Sequence, residues 1–149
     1  MSQNSVVNST SNFLQVQTDL SKIFLWNNRY ENDGYTNNSS YDPITLSAGT
    51  LMGRIASTNI LVPCTSTASD GSQYPVGVLA QDVTLASGAN QTVSICVAGD
   101  VAQDKIIFAK PGDGLETVVS SRRYKDRIGA DTVGIKLVPS TDNTIYDNQ

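Results

Sequence analysis

Apolar and polar residues alternate along much of this chain, and the alternation predicts a mainly β protein. The pattern is clearest in Gln91–Val101: Val93, Ile95, Val97 and Gly99 fall on one face, and Thr92, Ser94, Cys96 and Ala98 on the other. The stretch Val76–Ala80, entered through Pro75, is apolar on both faces, as an interior strand is. Ile44 and Leu46 alternate at strand period behind Pro43, and Thr50–Ile55 and Asn59–Cys64 read as further strands. Gly53, inside one of them, marks a bulge or a close backbone approach. Asp131–Val138 is a closing strand, ended by Pro139. Between these lie turn-formers: Ser47–Thr50, the loop Thr65–Tyr74 with Gly71 as its residue of positive φ, Leu85–Asn90 and Lys110–Gly114. Asp104–Ala109 is short and apolar and fits a strand or a helical turn. A single helix is predicted over Leu115–Ile128. Leu115, Val118, Val119 and Ile128 fall near one stripe, with Asp113 or Gly114 as N-cap and Gly129 at the end. The β-branched pair Val118-Val119 works against it.

The first 41 residues follow neither period. Residues 1–18 carry no charged side chain, Leu20–Trp26 is a compact apolar patch, and Asn27–Ser40 is polar and turn-rich. This segment nevertheless holds six of the ten aromatics and eight Asn. So polar a stretch buries too little surface to offset its own ordering entropy, yet exposed Trp and Phe lower solubility. An arm that orders against a partner through aromatic anchors resolves the conflict. The candidate anchors are Phe13, Leu14, Ile23, Phe24, Leu25, Trp26, Tyr30 and Tyr35. The alternative is that Ile23–Trp26 packs back on its own domain. The expected layout is an arm over 1–41, a domain over 42–140 and a polar tail over 141–149.

Composition narrows the chemistry. In 149 residues only 16% are charged, the net charge is −4, and six of the ten basic residues lie between Lys105 and Arg127. Such a balance argues against binding to duplex nucleic acid, which needs clustered Lys and Arg. Histidine is absent, which removes the commonest general base and zinc ligand. Two Cys in apolar stretches, Cys64 and Cys96, read as buried free thiols rather than a disulfide scaffold. The N-terminus has no signal-peptide pattern and no run approaches a membrane span, so a cytoplasmic site of synthesis is expected. Gly49–Arg54 lacks the Lys-Ser/Thr of a phosphate loop, and the Asp-Gly turns at 70 and 113 lack the further ligands of a calcium loop. Asp100 and Asp104 read as solvated turn carboxylates, and Arg122–Lys125 as a solvated face. No catalytic, cofactor or metal residue is expected.

From Gly49 onward the residues become specific. Gly49-Thr-Leu-Met-Gly-Arg-Ile, Leu61-Val-Pro, Ala68-Ser-Asp-Gly-Ser-Gln-Tyr-Pro-Val-Gly-Val-Leu-Ala-Gln-Asp-Val, Val97-Ala-Gly-Asp-Val and Gly134-Ile-Lys-Leu-Val resemble, in order and spacing, the lambda-type bacteriophage head decoration family. The resemblance covers roughly residues 42–138. It implies a small α+β domain, mainly β with one short helix, that forms a homotrimer. It further implies binding to the major capsid protein on the outer surface of the virion, at three-fold and quasi-three-fold positions, with assembly in the host cytoplasm. There the protein would stabilise the expanded shell against DNA pressure, its N-terminal arm ordering as an added strand. It brings no catalytic residue and no cofactor. Two rival readings are a virion-surface β module that binds a receptor or glycan through loops bearing Tyr74 and Tyr124, and a trimeric enzyme with its site between subunits.

Overall fold

A computed structural model describes residues 20–37, 44–128 and 134–139. A single helical turn, α1 (Leu20–Ile23), leads into the long strand β1 (Phe24–Thr36). Then follow β2 (Ile44–Leu46), β3 (Leu51–Arg54), β4 (Leu61–Pro63), β5 (Pro75–Leu79), β6 (Val83–Leu85) and the second long strand, β7 (Asn90–Ala102). A 3-10 turn over Gln103–Lys105, the short pair β8 (Val118–Val119) and β9 (Arg122–Arg123), α2 (Tyr124–Ile128) and β10 (Gly134–Val138) complete it.

The main sheet runs β1-β4-β3-β5-β7-β10, and β1 also pairs with β7. That extra pairing closes β1, β4, β3, β5 and β7 into a ring, a small barrel with β10 added beside β7. Antiparallel pairing joins all neighbours in the ring except β1 and β4, which meet in parallel at Tyr35 and Leu61. The strand alternation builds two cores, one on each face. Met52, Leu79 and Ile95 point into the barrel with Tyr35, Leu61 and Val93. Their sequence neighbours Leu51, Val78 and Cys96 point the other way, onto Tyr124, Ile128 and Ile135. The ribbon of β2 and β6 packs Leu46, Val83 and Leu85 against the first core. As expected, β5 is interior: it lies between β3 and β7, and four of its five residues are buried.

Glycine shapes two positions. Gly53 lies against the backbone of Ser72, where a Cβ would collide with the Ser72 carbonyl. Gly99, at φ 103°, is a break in the alternation of β7. Cys96 and Val101 share a core although they lie five positions apart, an odd offset that regular alternation would put on opposite faces. The face expected for Val93, Ile95, Val97 and Gly99 therefore holds at Val93, Ile95 and half-buried Val97 and switches past the glycine.

Two expectations change. The helix over Leu115–Ile128 is mostly a hairpin: Val118 pairs with Arg123, Val119 with Arg122, and only Tyr124–Ile128 is helical. The β-branched pair favours strand, and Ser120 and Ser121 take left-handed φ of 49° and 68°, the geometry of a tight hairpin turn. Arg127 holds that turn, its Nε donating to the Val119 carbonyl at 3.2 Å. Asp113 does not cap a helix; its carboxylate accepts the backbone N–H and the hydroxyl of Ser66, at 3.0 and 2.6 Å. The second change concerns the boundary at residue 42. The sheet already includes Phe24–Thr36, paired with β7 at ten positions. A strand this polar is held by main-chain hydrogen bonds to β7, which hydrophobic periodicity does not register. The short stretch Asp104–Ala109 resolves into the 3-10 turn and a single parallel bridge from Ile107 to Thr50.

Candidate functional site

Strand β1 divides the expected anchors. Phe13 and Leu14 lie outside the described residues. Phe24 is buried in the outer core opposite Val101, and half-buried Ile23 packs on the same cluster. Tyr35 is 1% exposed inside the barrel. Leu25, Trp26 and Tyr30 stand in solvent at 41%, 72% and 46%, with Leu20 beside them in sequence. Leu20 was not among the expected anchors, although it opens the same apolar patch.

Local backbone chemistry explains the split. Near Trp26 the pairing with β7 slips three times, between Phe24 and Trp26, Trp26 and Arg29, and Arg29 and Tyr30. Asn27 takes a left-handed φ of 53°, which asparagine tolerates better than most residues. Asn28 turns inward and donates its Nδ2 to the Asp100 carbonyl at 3.0 Å, with the Cys96 sulfur at 3.6 Å. Gly99 leaves room for this close approach, since a Cβ there would run into the backbone of Asn27 and Asn28. The Tyr30 ring packs edge-on against Phe24 at 5.7 Å, so it is propped while half exposed.

From Tyr30 to Thr36 the register is unbroken. Here the strand is anchored at its far end. Asn37 is fully buried and donates Nδ2 to the Leu85 carbonyl at 2.8 Å; its backbone exchanges hydrogen bonds with Ala89 and Gly88. Asp33 pairs with Arg54 across the barrel seam, and Arg54 also donates to the Asn59 carbonyl at 3.0 Å. The Tyr35 hydroxyl is buried without a hydrogen-bond partner, and burial pushes its pKa up.

Elsewhere the reactive groups are spent on structure. Burial pushes the Cys64 thiol up to about 11; it donates to the Tyr124 hydroxyl at 3.4 Å. Cys96 is likewise buried, raised by that burial, and donates to the Ala98 carbonyl at 3.2 Å. Both thiols therefore stay protonated near neutrality and make poor nucleophiles. Among the described residues no group of His, Cys, Asp and Glu could hold a metal ion. The basic cluster is neutralised locally: Arg123 binds Asp126 at 2.9 Å and Glu116 at 3.1 Å, and Lys125 binds Glu116 at 2.6 Å. A glycan platform on Tyr74 and Tyr124 does not form, since Tyr124 is fully buried. The ring of Tyr74 is capped by the Arg127 guanidinium at 4.8 Å, and its hydroxyl meets Ser120 at 2.9 Å. A shallow groove of about 420 Å³ between β2 and Ile107–Ala109 is lined by Leu46, Pro63 and Phe108 and by no titratable group.

Comparison with known proteins agrees with this reading. The family model for bacteriophage lambda head decoration protein D matches residues 27–116, from inside β1 to the turn before β8. Among curated proteins none matches the chain.

Proposed function

The chain belongs to the bacteriophage lambda head decoration protein D family, and we propose that it cements the outer surface of an expanded phage head. In this reading it sits as a trimer at three-fold and quasi-three-fold positions and clamps neighbouring major capsid subunits against the pressure of packaged DNA. The supporting observation is the exposure of Leu25, Trp26 and Tyr30 on a domain whose other large apolar groups are mostly buried. Large aromatics that lose their water on binding supply most of the energy of an interface. These three, with Phe13 and Leu14 earlier in the chain, form the grip. One grip is weak, but three on one trimer act at high effective concentration, which raises avidity without new contacts.

The test is binding to expanded heads by a chain lacking residues 1–19 and, separately, by Trp26→Ala. The truncation stops short of Phe24 because that residue is part of the folded core. Loss of an anchor of this kind is expected to cost about 2 kcal/mol, roughly thirtyfold in affinity. Undiminished binding of both variants would overturn the grip. A monomer in sedimentation at the concentration where binding saturates would overturn the trimer.

A further inference from the structure

The closed barrel leaves one long strand edge open. β7 covers one side of β1 along its whole length, while β4 meets the other side at Tyr35 alone. Arg54 reaches Asp33 just before that point. Among the described residues, the outer edge of β1 from Phe24 to Asn32 has no strand beside it. Natural sheets protect such edges with Pro, Lys or bulges; this stretch contains no Pro or Lys, and its register slips against β7 end at Tyr30. It carries instead an exposed Arg29 and an exposed Glu31, one on either side of Tyr30 in the chain. Neither charge has an ionic partner among the described residues.

We propose that this edge binds the same edge of a second copy of the chain, antiparallel, about a two-fold axis through Tyr30. In that register Tyr30 faces itself and Arg29 of each copy faces Glu31 of the other. Two cross-strand ion pairs form at once, from groups that are otherwise unpaired. Like charges directly opposite are destabilising and count against other registers, while an axis through Asn28 forms no ion pair. An axis through Arg29 or through Glu31 sets that residue against itself. An axis through Asn32 sets Glu31 against Asp33. The contact is isologous. A three-fold ring closes through heterologous contacts, so both can coexist on one chain. On an icosahedral lattice, local two-fold axes lie between neighbouring three-fold positions, where this edge would join one trimer to the next.

The test is cysteine trapping in the free protein. Cys64 is fully buried, and Cys96, which faces Tyr30 across the β1–β7 pair, is replaced by Ala in every trapping variant so that it cannot capture the new thiol. Under mild oxidation Tyr30→Cys is expected to form a disulfide-linked dimer about tenfold or more faster than Asn32→Cys, because bridging needs Cα atoms within about 7 Å and only the on-axis pair meets that. Equal rates for the two variants would overturn the proposal. In the Tyr30→Cys background, Arg29→Glu should slow the linkage, and adding Glu31→Arg should restore it; indifference to both changes would overturn the charge register. Should Tyr30→Cys fold poorly, the same charge pair tested in the otherwise unaltered chain by sedimentation gives the answer: self-association lost in Arg29→Glu and regained in the double variant supports the contact, and association insensitive to both rejects it. These measurements use no phage heads, so their failure is distinguishable from failure of the cementing role.

Discussion

The two halves of β1 belong to one strand and are built for opposite ends. From Phe24 to Arg29 the strand slips against β7, adopts a left-handed residue and puts Leu25 and Trp26 into water. From Tyr30 to Thr36 it keeps one register, buries Tyr35 in the barrel and runs into the anchoring Asn37. The difference teaches that aromatic content alone does not mark a binding segment. An aromatic is a candidate anchor only where the backbone keeps it out of the core, and here a slipped ladder does that.

The sharpest way to break this comparison is to delete the two extreme aromatics. Tyr35→Ala should destabilise the fold by about 3–5 kcal/mol, the cost of emptying a large buried aromatic site, whereas Trp26→Ala should change stability by no more than about 0.5 kcal/mol. Denaturant midpoints at constant slope would check both, and equal effects would erase the distinction. Next comes the glycine that permits the slip. Gly99→Ala is strained at its φ of 103° and drives a Cβ into β1, so a loss of about 2 kcal/mol or more is expected. Hydrogen-exchange protection should fall first along β1, and a uniform loss would argue against a local role.

A finer test uses the unpaired hydroxyl. Tyr35→Phe removes a buried polar atom without a partner and keeps the ring, so it should be neutral or stabilising by about 1 kcal/mol. A clear destabilisation would reveal a partner for that hydroxyl in solution. The smallest effect is expected at the hairpin of β8 and β9. Glu116 is depressed chiefly by its hydrogen bond from Lys125, and Asp126 by that from Arg123. A carboxylate whose pKa is lowered by folding adds stability above its unfolded value and loses it as pH falls through the folded one. The hairpin of β8 and β9 should therefore loosen only below about pH 4, while β1 does not respond, as read by residue-resolved exchange. Glu116 is exposed and Asp126 partly so, and the global melting temperature should therefore move little.

Much of the barrel was legible because its signals are local. The alternation in β7 and the doubly apolar β5 arise within single strands, and the close approach at Gly53 and the positive φ of Gly71 arise from the residues themselves. The hairpin at Ser120-Ser121 was hidden because serine is not a usual left-handed residue. Tertiary hydrogen bonds from Arg127 to the carbonyls of Val119 and Ser120 hold it there. For the candidate surface, composition pointed to the aromatic stretch but could not separate Trp26 from Tyr35.

By itself the sequence determined the class of the protein, its strands with two distinct faces, its protonated buried thiols and its lack of histidine chemistry. Side-chain pattern and composition carry those properties, and both are written residue by residue. Only the tertiary structure decided that Phe24–Thr36 is a barrel strand, which of its aromatics face water and where an edge stays open. These depend on main-chain pairing between β1 and β7, whose paired residues lie 54 to 77 positions apart in sequence. Backbone hydrogen bonding is indifferent to side-chain identity, so an Asn-rich strand leaves almost no trace in the pattern that reveals the others.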